Sequence, residues 1–179
     1  MAGNSPKAEK EVFVKVNFTE TAVEYRFFNA YEVRRTGSFI FLRLAYVGPE
    51  IQGPIFSGAI SDQDAKQLIP SFKSYVPKLA ASSPKDDVAP FPAFHHSIAT
   101  ISTPIAFQHV GLVFQGEMGE LTIGQFSHKD AASAASKKPK DGKPADSPSI
   151  KGTLFGIYTS PTSVHRNLVL DFIKTCERK

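Results

Sequence analysis

Between Arg26 and Arg43 the chain interleaves four arginines (Arg26, Arg34, Arg35 and Arg43) with aromatic rings, and only Glu32 opposes them. On an alternating strand Phe28 shares a side with Arg26, and Tyr31 lies near Arg34 and Arg35. Rings and guanidiniums on one sheet face can stack bases and meet phosphates. The alternative use of such a face is to be covered by another subunit or a protein partner. Arg26, Phe28, Tyr31, Arg34, Arg35 and Arg43 are therefore the candidate binding face. Phe27, Phe39, Phe41, Phe56 and Phe72 fit buried positions instead.

Charge decides between the two uses. The chain of 179 residues carries a formal net charge of +4. Six lysines against three aspartates in 129–151 supply +3 of it, and Lys7 and Lys10 against Glu9 supply the rest. What remains is neutral, with 13 basic and 13 acidic residues. Phosphate binding needs local positive charge, so protein–protein contact or self-association is favoured over single-stranded nucleic acid. The signs still separate along the chain. The stretch 86–128 holds Asp86, Asp87, Glu117 and Glu120 and no Lys or Arg.

Other chemistries find little support. No nucleophile elbow, phosphate loop, dinucleotide fingerprint or His-Glu-x-x-His occurs. His95 and His96 are adjacent in a proline-rich stretch, and with His109 and His128 they match no known ligand spacing. They read as linker histidines. His165 reads as a surface or boundary residue early in a helix. Cys176, the one cysteine, excludes an internal disulfide, falls on an apolar helix stripe and reads as packing. No catalytic residue, metal or cofactor is expected. With no apolar run of the ~20 residues that span a bilayer and no signal-like start, the expected setting is cytoplasmic and away from membranes.

The elements that must position the arginine face follow from periodicity. Residues 1–10 read as a flexible tail. Alternating runs from Val12, at 23–28, at 31–35 and at 38–47 read as strands, with a hairpin turn at Thr36-Gly37. An apolar strand at 55–60 leads to Ser61, which caps a helix burying Ala65, Leu68, Ile69, Phe72 and Val76, with Asp64 in its first turn. Pro70 lies inside this helix and removes one of its bonds. Residues 80–94 read as a linker. Strands resume at 97–102, 105–113, 121–126 and 152–159, with a turn at 116–119. Ser160 and Pro161 open a last helix, serine as cap, with Val164, Leu168, Val169, Phe172, Ile173 and Cys176 along its stripe. Residues 129–149, rich in Ala, Ser, Lys and Pro, read as a disordered insertion.

The halves repeat. Gly53, Ile55, Phe56 and Ser61 recur 99 residues later as Gly152, Leu154, Phe155 and Ser160, each set leading into a helix. Gly37, Phe39 and Phe41 have a looser counterpart 82 residues on in Gly119, Leu121 and Ile123. The passage from Phe56 to Leu68, with Ser61, Ala65, Lys66 and Leu68, resembles a family of small uncharacterised bacterial domains over residues 23–79. That resemblance implies no activity. The tandem sheet-then-helix layout looks like the PUR and Whirly group of single-strand binders, and this likeness of topology transfers no site residue.

The expected fold is α+β: two antiparallel β-sheet-plus-helix repeats, 11–79 and 95–179, packed with pseudo-twofold symmetry. Each repeat is expected to be a meander closed by its own helix. The expected function is a non-enzymatic binding or assembly module acting through an exposed sheet face, with a homo-oligomer or protein partner. The alternative is single-stranded nucleic-acid binding on the arginine and aromatic face.

Overall fold

The computed structural model describes residues 15–19, 24–50, 52–82, 104–127, 130, 133 and 149–178. The tail at 1–10, most of the insertion at 129–149, the strand at 97–102, and His95, His96 and His128 fall outside the described residues. The chain forms two compact units. The smaller combines Met1–Thr19 with Phe126–Gly152, the larger Glu20–Gln125 with Thr153–Lys179. In the smaller unit β1 (Lys15–Thr19) runs beside β9 (Ser149–Pro161), whose residues 149–152 belong there.

Among its described residues the larger unit is α+β, with two helices and two mixed sheets. Its strands are β2 (Tyr25–Phe27), β3 (Ala30–Thr36), β4 (Phe39–Val47), β5 (Gln52–Ser61), β6 (Ile105–Ala106), β7 (His109–Gln115), β8 (Met118–Phe126) and the rest of β9. Helix α1 (Asp62–Ser82) follows β5, and α2 (Thr162–Glu177) follows β9. One sheet runs β3-β4-β5-β6; in the other, β9, β8 and β7 are neighbours and β2 pairs with β9.

The sheets are not purely antiparallel, and neither half keeps all its strands. β2 runs parallel to β9, with Tyr25 opposite Ile157 and Phe27 opposite Thr159. β6 runs parallel to β5, with Gly58 opposite Ile105 and Ala59 opposite Ala106. Each half thus lends a short strand to the sheet of the other. A meander read from consecutive alternation misses this, because a three-residue strand carries no signal of its partner.

Hydrogen bonds of one half recur in the other at fixed offsets. Phe28 N–H donates to Thr159 O at 2.9 Å, and Phe107 N–H to Ala59 O at 3.0 Å. Asn29 N–H donates to Ala45 O, and Gln108 N–H to Gly124 O. Asp62 N–H donates to Ser38 O, and Thr162 N–H to Glu117 O. Residues up to β4 therefore correspond to residues 79 further on, and those of β5 and α1 to residues 100 further on. The sequence alignment, at 82 and 99, is out of register. Gly37 matches Gly116, and both turn their hairpins in the left-handed conformation, at φ 58° and 62°.

The one-residue slip has a local cause. Ser61 Oγ accepts from Asp64 N–H at 3.1 Å and donates to its carboxylate at 2.6 Å, a side-chain cap. Ser160 does not cap. β9 continues through Pro161, whose φ of −56° and ψ of 147° are extended, and α2 starts with no side-chain cap bond. Ser160 faces inward as the last buried position of the strand, with no hydrogen-bond partner for its hydroxyl among the described residues.

The core lies between the sheets' inner faces and the helices. Ile40, Leu42 and Leu44 of β4 and Leu121 and Ile123 of β8 are buried, as are Phe72 of α1 and Leu168 and Phe172 of α2. Phe72 and Phe172, 100 residues apart, meet with ring centroids at 5.0 Å. A fully buried side chain of this size contributes about 1.5–3 kcal/mol. Pro70 and Pro77 sit two turns apart on the exposed side of α1, where a carbonyl that loses its backbone donor is open to solvent.

Candidate functional site

Strand pairing sorts the arginine-rich stretch into faces. Opposite residues of an antiparallel pair share a face. Tyr31, Val33 and Arg35 lie opposite Leu44, Leu42 and Ile40 on the inner face, and Glu32, Arg34 and Thr36 lie opposite Arg43, Phe41 and Phe39 on the outer one. The six candidate residues are therefore divided among four places.

Two of them form a site. On the outer face the Arg34 guanidinium lies 5.9 Å from the centre of the Phe41 ring, within cation–π range. Arg43 pairs with Glu32 at 3.2 Å, and Arg34 approaches the same carboxylate at 3.9 Å. Phe39, at the end of this row, is 49% exposed. Two guanidiniums share one carboxylate, which leaves a single net positive charge beside two rings.

The other four serve elsewhere. Tyr31 donates to Asp171 of α2 at 2.7 Å, and burial together with that carboxylate holds its hydroxyl well above the ordinary tyrosine range. Arg35 caps the far end of α2, donating to Thr175 O at 3.2 Å and Cys176 O at 2.9 Å. It also pairs with Asp62 at 2.6 Å. The hydrogen bond from Lys66, with Arg35 adding its charge, keeps the Asp62 carboxyl below its usual range. A groove of about 320 Å³ is lined by Tyr31, Val33, Asp171, Lys174 and Arg178. Arg26, on β2, pairs with Glu24 at 2.9 Å.

Phe28 is a correction. It is fully buried, whereas Phe27 is 42% exposed. Asn29 follows Phe28, and its side chain donates to Val47 O and accepts from Val47 N–H. β2's pairing sets Arg26 opposite the buried Tyr158, and Phe28, two residues on, falls on the same inward side. Phe27 is the converse correction, and so are Phe39 and Phe41 on β4, all assigned to the core but standing outside it. The signal was present for Phe39 and Phe41, since both share the parity of Arg43 on β4. Tyr25 and Tyr46 are exposed as well, and Tyr46 meets Phe27 edge-on at 6.2 Å.

His165 is fully buried, not a boundary residue. Its ring lies against Gly119, where an added Cβ would come within 2.4 Å of Cγ. Burial pushes its pKa down to about 4, and neither ring nitrogen has a hydrogen-bond partner among the described residues. Burial lowers His109 too. Cys176 is buried, and burial pushes its thiol up to about 11, far from a reactive thiolate. Among the described residues no three His, Cys, Asp or Glu side chains gather as metal ligands. No described helix is long and apolar enough to cross a membrane.

The fold defines an α+β protein of two mixed sheets that exchange strands, and its candidate site is an outer sheet face. In comparisons with known proteins, no family model and no curated sequence matches the chain.

Proposed function

We propose that the chain is a non-enzymatic binding and assembly module, taking a protein partner or a second copy on the outer face of the β3-β4-β5-β6 sheet. The observation that carries this is Phe39, about half exposed, on one sheet face with Phe41, Arg34 and Arg43. Exposed rings mixed with arginine favour a protein surface, where such residues anchor interfaces. The shared Glu32 leaves little charge for phosphates, whose binding scales with the number neutralised. The recurring hydrogen bonds support reading the halves as a pseudo-twofold pair. A single, buried cysteine fits a reducing, cytoplasmic setting.

Light scattering at micromolar concentration should give a mass above the 19.5 kDa monomer. Phe39→Ser should reduce it. A strict monomer that binds no apolar dye sinks the reading. Single-stranded nucleic acid is the second reading, favoured by the Arg34–Phe41 stack. It requires binding to an oligonucleotide that weakens roughly tenfold or more between about 50 and 200 mM salt and is lost in Arg34→Ala with Arg43→Ala.

A further inference from the structure

The outer face of the β7–β8 hairpin is built on the same frame as that of β3–β4. Each hairpin joins a seven-residue strand to a nine-residue strand through a left-handed glycine. Their outer positions correspond at the offset of 79, yet the chemistry is opposed. Val113 stands where the other face has Arg34, Glu120 where it has Phe41, and Thr122 where it has Arg43. Met118 stands where it has Phe39. Val113 and Met118 are 42% and 37% exposed. β7 and β8 carry no Lys or Arg. Neither Glu120 nor the exposed Glu117 in the turn makes an ion pair among the described residues. One face has an excess guanidinium beside rings, and the other has carboxylates with no cation paired to them among the described residues.

We propose that the partner is a second copy of this chain, bound head-to-tail, with the Arg34–Phe41–Arg43 face of one copy on the Val113–Glu120 face of the next. This rests on the sheet-face reading above and names its occupant. Hairpins of equal strand length can pack as aligned sheets about 10 Å apart. Charge complementarity selects unlike over like faces, because two arginine faces or two glutamate faces would oppose equal charges. Using two different surfaces makes the contact heterologous, so growth continues into a ring or filament and does not stop at a dimer.

Sedimentation velocity over a micromolar concentration series tests this on the full chain. Wild-type mass should rise past twice the monomer. Arg34→Glu with Arg43→Glu, and separately Glu117→Arg with Glu120→Arg, should each weaken association at least about tenfold. An equimolar mixture of the two variants should restore it, since each then meets the complement of its altered face. Circular dichroism checks folding, and Arg43→Gln with Glu120→Gln give smaller losses in the same direction if a reversal unfolds the chain. If Glu117→Arg with Glu120→Arg assembles like wild type while Arg34→Glu with Arg43→Glu does not, the head-to-tail contact is wrong and the sheet-face reading stands. A mixture that stays monomeric also overturns it. If neither variant changes assembly, both readings fall.

Discussion

Gly119 and His165 occupy the positions that Ile40 and Ala65 hold in the other half, at the offsets of 79 and 100. All four are buried, so the large and small members of the pair have changed places. Gly119→Ile alone should be severe. Even a Cβ would lie 2.4 Å from His165 Cγ and 2.7 Å from its Cβ, so the side chain must displace a packed ring. Overpacking of this kind costs about 1–3 kcal/mol or more. His165→Ala alone leaves a cavity, a loss of about 2–5 kcal/mol for large-to-alanine changes. Removing two unpartnered ring nitrogens offsets about 1–3 kcal/mol of that. Together the changes copy the Ile40–Ala65 arrangement, and the double variant should be more stable than the sum of the singles implies by about 1–3 kcal/mol. Urea denaturation of the four proteins measures the coupling directly. A coupling near zero, below about 0.5 kcal/mol, would show that the two halves do not share a packing frame.

His165 also gives a pH dependence. Its folded pKa of about 4 lies below the free value of 6.5, so stability is complete above pH 6.5 and is lost as pH falls from there toward 4. The loss should reach about 2–4 kcal/mol, and a denaturation series in His165→Ala should lack it. Ser61→Ala should cost about 1 kcal/mol by urea unfolding, because a cap is lost. Ser160→Ala should cost nothing or stabilise slightly, because its hydroxyl is buried without a partner among the described residues. Arg35→Met leaves the Thr175 and Cys176 carbonyls without their donor, and should lower stability by about 1–3 kcal/mol without changing association.

Local physics was legible in the sequence wherever a short stretch contains its own answer. The cap at Ser61, the hairpin at Gly37, and the helix stripe through Leu168 and Phe172 each depend on neighbours within a few residues. Outcomes set by distant partners were not legible. Phe28 faces inward because β2 pairs with distant β9, where Arg26 meets the buried Tyr158, and Tyr31 and Arg35 are drawn to α2 some 140 residues away. β2 and β6 gave no hint that they leave their own halves. Of the candidate face, Arg34 and Arg43 were readable from parity with Glu32. Phe39 and Phe41 were missed because apolar residues occupy both sides of β4, and only Arg43 marks which side meets solvent.

The exchanged strands set an order of events during synthesis. Tyr25 waits for Ile157, which lies 132 residues later in the chain. At about 5–20 residues per second, translation leaves β2 without its partner for roughly 7–26 s. The first half therefore emerges with Tyr25 and Phe27 on an unclaimed strand, and with the β6 side of β5 open until residue 106 is made. Pairings this distant in sequence slow folding and lengthen exposure to aggregation. A nascent chain stalled after α1 should be held by chaperones, and the same chain released at full length should not.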